Sequence, residues 1–144
     1  MSDYQLLPSD EFPHRATAER HFNESVYMNA FDHTRAMGGW MRVGNRVNEG
    51  YAELSVCLYL PDGRIACQFQ RPAITHNDAF NAGGLSVHIE EPLARVRMHY
   101  DGELMVVSDP ELLRHPKRLF AQAQRLPASV RWEHVATSPA HGGI

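Results

Sequence analysis

Lysine is almost missing from this chain: Lys117 stands alone against thirteen arginines, which reads as compositional bias of the source genome. Those basic residues are scattered and the net charge is −3. A phosphate-binding surface needs clustered Lys and Arg, so no nucleic acid partner is expected. No apolar run approaches the ~20 residues that span a bilayer, so no membrane span is expected either. The polar start, MetSerAspTyrGln, lacks the charged-then-apolar pattern of a signal peptide, and the expected location is the cytoplasm. Cysteine is scarce too, with Cys57 and Cys67 only, and no Cys/His spacing calls for zinc. The nine histidines are dispersed, so no metal is assigned. Nucleophile elbows, glycine-rich dinucleotide loops, Walker loops and the HisGluxxHis pattern are all absent, and no cofactor is expected.

What is present is β patterning. In Tyr51–Leu60, Ala52, Leu54, Val56, Leu58 and Leu60 alternate with Tyr51, Glu53, Ser55, Cys57 and Tyr59. A period of two marks a strand with one buried face. Asp62-Gly63 predicts a two-residue turn, with both central residues at positive φ. That register sets Leu60 opposite Ile65, Leu58 opposite Cys67 and Val56 opposite Phe69. Cys57 then faces Gln68, on the other side of the hairpin from Cys67, which argues against a disulfide between the two cysteines.

At 144 residues the chain fits one domain. Residues 1–21 form a polar segment broken by Pro8 and Pro13, with a helical turn expected near Ala16–Arg20. Asn23–Asp32 and Ala36–Val43 read as strands, the second carrying Gly38-Gly39 as a bulge or a close backbone approach. After a polar connection over 73–82, Leu85–Ile89 and Ala94–Tyr100 alternate again. Asp101-Gly102 predicts a second tight turn, with Glu103–Val107 returning. Asp109-Pro110 and Pro116 open two short helical pieces. Ser129–Thr137 is a last strand, and 139–144 a tail. The expected fold is all-β: an antiparallel meander over 22–138 with a helical excursion near 109–124.

Two stretches carry a family resemblance: IleGluGluProLeuAlaArgValArgMetHisTyrAspGly (89–102), and GlyGlyTrpMetArgValGlyAsn (38–45) with LeuTyrLeuProAspGlyArg (58–64). Together they resemble the first half of hydroxyneurosporene synthase and carotenoid hydratase-like proteins, related to tocopherol cyclase-like and AttH-type lipocalin-like proteins. The resemblance covers roughly residues 22–138. It implies a lipocalin-like barrel, or one half of a two-barrel protein, that takes a terpenoid, steroid or acyl lipid. It also implies hydration, cyclisation or isomerisation as the chemistry. Family chains are about twice this length, so a homodimer or a separately encoded second half is the alternative: a non-catalytic β subunit.

Candidate site residues follow from residue type and strand face. His76 offers an imidazole for proton transfer, and Asp78 could orient it or carry the proton itself, which makes ThrHisAsnAsp (75–78) the loop for acid–base work; Glu24 is a weaker candidate of the same kind. The plainer reading of that loop is a capped surface turn. Tyr27, Trp40, Gln68, Gln70, His88, Arg97 and His99 are the candidate ligand-binding side chains. They would orient an apolar ligand if their face lines a barrel. If it faces water, they form a solvated outer wall.

Overall fold

Period-two alternation sets most of the eight strands in the computed structural model, which describes residues 5–142. The first four residues of the expected N-terminal segment and the last two of the expected tail lie outside it. The strands are β1 (Glu24–Asp32), β2 (Met37–Arg46), β3 (Tyr51–Tyr59), β4 (Ile65–Gln70), β5 (Asn81–Ala82), β6 (Leu85–Glu91), β7 (Arg95–Val107) and β8 (Gln124–Val135). The two-residue β5 falls within the stretch expected as a polar connection. All pairings are antiparallel, in the order β1-β2-β3-β4-β7-β6-β5, with β8 on the free side of β7. A 3-10 turn at Pro110–Arg114 and one short helix, α1 (Pro116–Gln122), form the helical excursion. The fold is all-β, as the patterning requires.

One face of the sheet carries the main core. Met41, Val43, Leu54, Val56, Met98 and Tyr100 are all buried there. Each large apolar side chain removed from water contributes about 1.5–3 kcal/mol. Val26 and Met28 of β1 pack on this core, and so do Val130 and Trp132 of β8, so the sheet curls around it. Hydrogen bonding does not close it into a barrel. Among the described residues β1 pairs with β2 alone and β8 with β7 alone.

Three local expectations are corrected. The β3–β4 register is shifted by one, with Tyr59 opposite Ile65, Leu58 opposite Ala66 and Cys57 opposite Cys67. The cause is Pro61, whose fixed φ suits the first central position of a type I turn. The loop is therefore Pro61-Asp62-Gly63, three residues long, with Gly63 at φ +85° as the bulge residue. Gly63 N–H donates to Leu60 O, and Leu60 N–H to Arg64 O. As a result the two cysteines, both free, sit side by side on one face.

The second correction is at Asp101-Gly102, where β7 runs straight through for 13 residues and pairs with β8 along nearly its whole length. Gly102 is needed for a different reason. The Tyr100 ring lies over it, with the phenol hydroxyl 2.6 Å from where a Cβ would sit, and that hydroxyl donates to Glu103 O at 2.7 Å. The two-residue turn with positive φ falls instead at Gly83-Gly84 (φ +59° and +90°), between β5 and β6. Third, no helical turn forms at 16–20; a 3-10 turn stands at Pro8–Glu11, where proline occupies the first helical position.

The Gly38-Gly39 pair in β2 is a close approach of backbones. At the β1–β2 turn, Asp32 Oδ1 accepts from the N–H groups of Thr34 (2.9 Å) and Arg35 (3.1 Å), and exposed Ala36 is left at φ +50°. A left-handed residue with a Cβ is strained. Ala36→Gly is therefore expected to raise stability by about 0.5–1 kcal/mol, net of the glycine's greater freedom when unfolded, as read by urea denaturation.

Candidate functional site

Alternation breaks down at one end of the sheet, and there a second apolar face appears. Cys57, Ile65, Cys67, Met105 and Val107 point away from the main core, yet form a cluster of their own. The run LeuMetValVal at 104–107 is the sequence signal, since a strand buried on both faces has no polar side. The lid is the helical excursion. Leu119 of α1 is buried on the cluster, with Leu112 and Leu113 packed beside it. Asp109 accepts from Glu111 N–H at 3.0 Å and so fixes the entry to the excursion.

The lid covers only part of that face. Between α1 and the sheet lies a groove of about 480 Å³. Cys57 and Ile65 lie on its sheet side, Leu113 and Phe120 on its helical side, and Trp40, Tyr59 and Phe69 line it further. Tyr59, Phe69 and Phe120 are each between a third and a half exposed, an unusual disposition for large aromatics. Trp40 stands between two other rings, 6.1 Å from Tyr27 and 6.4 Å from Phe69, within the range of aromatic contact. Burial pushes both thiols up; Cys67, with Cys57 beside it, is raised to about 11. Both are protonated at neutral pH and act as apolar surface.

Of the residues singled out from the sequence, the groove unites Trp40 with Tyr27 at its margin. Gln68 points the other way, into the main core, because the true register puts it opposite Val56. There it is buried: its Nε2 donates to Glu103 O at 3.2 Å, and its Oε1 accepts from Phe69 N–H at 3.0 Å. Gln70 is exposed at the end of β4. His88, Arg97 and His99 lie on the outer face of β6 and β7, each with a local partner. Arg97 pairs with Glu90 at 2.7 Å, His99 Nε2 meets Ser129 Oγ at 3.1 Å, and His88 Nε2 meets Ser86 Oγ at 3.3 Å.

The acid–base candidates are separated. His76 and Asp78 contact each other on a loop, with more than two thirds of each side chain exposed. Glu24 takes a different partner: it accepts from the backbone N–H of His14 at 2.9 Å and from the His14 imidazole. Asn77 links the two regions, donating to Glu24 at 3.3 Å and to His14 O at 2.8 Å, while Asn45 donates to Asn77 at 2.9 Å. The Glu24 hydrogen bond and charge raise the His14 pKa above 6.5. Glu24→Gln is expected to return it toward 6.5 in an NMR titration. The sign follows from linkage: the His14–Glu24 pair stabilises the fold fully below pH 6.5, and that stabilisation fades as pH rises through the raised pKa.

Among the described residues no three His, Cys, Asp or Glu side chains gather as a metal would require, and no helix is long and apolar enough to cross a membrane. No curated protein and no solved structure matches the chain. A family model described as a domain of unknown function, DUF7064, matches residues 7–142, a span that takes in most of the polar N-terminal segment and the whole sheet, and the protein belongs to that family.

Proposed function

We propose that the protein binds an apolar small molecule, of terpenoid, steroid or acyl class, in the groove between α1 and the outer face of β2, β3 and β4. The observation that carries this reading is the half-open apolar groove itself. Its volume suits a small ligand, and its walls are aromatic and aliphatic, with little polar surface. The resemblance to lipocalin-like carotenoid-modifying proteins implies the same ligand class but places the ligand inside a barrel. Here the curled interior is filled by Met41, Leu54, Met98 and Tyr100, none more than 1% exposed. A space of about 350 Å³ is left at the open end of the curl, between the β1–β2 turn and Ser129–Trp132 of β8, with Asp32, Arg35 and Arg131 on its walls. The outer groove is the larger and the more apolar of the two. The reading stops at binding, because His76 and Asp78 face solvent, and adding a proton to an alkene calls for an acid in a water-poor pocket.

A second reading is favoured by one specific observation. β1 is an edge strand, and Tyr27 and Phe31 on it are each more than half exposed. Such an edge suits pairing with a second copy or a partner half. Native mass spectrometry of protein purified gently from its own host separates the two. The groove reading expects a monomer carrying an apolar molecule of a few hundred daltons. A ligand-free dimer, or a complex with a second chain, would replace it with the subunit reading.

A further inference from the structure

The strand register extends the groove toward a cationic end. On the outer face, Trp40, Cys57 and Cys67 lie in one row across β2, β3 and β4. Arg42, Ser55 and Phe69 form the next row. Phe69 therefore walls two spaces: the apolar groove, and an adjoining recess of about 370 Å³ lined also by Arg42, Ser55, Glu53 and Arg71. Charge in and beside that recess is unbalanced. Glu53 is shared by Arg42 at 3.6 Å, Arg46 at 3.5 Å and Arg71 at 3.3 Å. All three distances exceed the ~2.7–2.9 Å of a strong charge-assisted hydrogen bond. Arg46 has a second carboxylate, Glu49 at 3.1 Å, which also takes His21 at 3.1 Å. Three guanidiniums against two carboxylates leave one positive charge over. Arg46 Nε, shielded from solvent, is the atom that faces Glu53 at 3.5 Å, and it makes no shorter bond.

We infer that the ligand is a single-chain amphiphile with a carboxylate head, the head held between Arg42 and Arg71 beside Ser55 and the chain lying along Trp40 and Phe69 toward Phe120. The inference rests on the groove reading above and adds the ligand's chemical class. A monoanion matches the single surplus charge, and arginine's planar fork suits a carboxylate. The chain length follows from the strand. Arg42 and Gly38 are four residues apart on β2, about 13 Å at the strand rise. That distance accommodates a chain of roughly ten carbons, given C–C bonds of about 1.5 Å in a zigzag.

Decanoate and decanol, titrated against the protein below their aggregation limits, share a chain and differ in the head. Calorimetry is expected to show decanoate binding about tenfold tighter or better, in keeping with hydrogen bonds to charged groups. Arg71→Ala, at a well-exposed position, and Arg42→Gln should each bring decanoate down to the affinity of decanol while leaving decanol unchanged. Circular dichroism checks that both variants fold. Equal binding of the two ligands to the unaltered protein would overturn the carboxylate assignment and leave the groove standing. A decanoate preference that survives both substitutions would overturn the arginine assignment. Binding of neither ligand would sink the groove reading, and the carboxylate head with it.

Discussion

Gly39→Ala is expected to lower stability by about 3 kcal/mol or more, and the melting temperature by about 10 °C. Gly39 is buried in β2 opposite Leu58, with φ at +150°. A Cβ built there falls 2.1 Å from the carbonyl oxygen of Cys57 and 2.9 Å from Leu58 Cα. Both obstacles are backbone, so no rotamer change relieves them. The only escape is to part β2 from β3, which disturbs the pairing of Trp40 with Cys57 beneath the groove. Thermal melting followed by circular dichroism reads the effect. A variant that melts within 2 °C of the parent would show that the two strands have more room than their register allows. Ligand affinity should fall along with stability, because Trp40 is the next residue.

The other large effect belongs to Phe120→Asp. Phe120 lies in the last turn of α1, nearly half exposed, while its neighbour Leu119 anchors the helix in the second core. A change at 120 should therefore leave the lid in place, with a stability cost typical of a surface position, about 0.5 kcal/mol. Its effect on binding is much greater. A carboxylate facing an apolar ligand must be desolvated without a partner, and the aromatic contact is lost as well. The expected loss is about a hundredfold in affinity for an apolar ligand, measured by quenching of tryptophan fluorescence. Trp40 reports from the groove, and the Trp40→Phe variant identifies any signal that comes from Trp132. Unchanged affinity would move the ligand away from α1.

Most of the strands were legible because alternation is strong wherever one face meets water. Glu24–Asp32, Tyr51–Tyr59 and Leu85–Glu91 show it plainly. Register was less legible, because a turn dipeptide is not read alone. Pro61 extends the Asp62-Gly63 turn to three residues, and that single residue reassigns the face of every side chain on β4. Gln68 thereby enters the core, while Ile65, Cys67 and Phe69 move outward. Asp101-Gly102 misleads for a related reason. There glycine makes room for the Tyr100 ring lying over it, a demand that comes from packing and leaves no trace in turn chemistry. The groove needed two facts that no single strand reveals: which residues the excursion covers, and that LeuMetValVal has two buried faces. Trp40 and Tyr27 were identifiable by residue type. Phe69, Tyr59 and Phe120 came into view only once register and lid were known.

The central claim is that an apolar ligand lies on the outer face under α1, and a photoreactive label tests it most directly. A ten-carbon fatty alcohol bearing a diazirine at its far end would be equilibrated with the protein, illuminated, and its adducts mapped by peptide mass spectrometry. Labelling is predicted on the segments that build the groove, Trp40, Cys57–Tyr59, Ile65–Phe69 and Leu113–Phe120, and should be competed away by excess unlabelled alcohol. Competed labelling on Leu54, Met98 or Tyr100, inside the curled sheet, would contradict the account and restore a ligand to the interior.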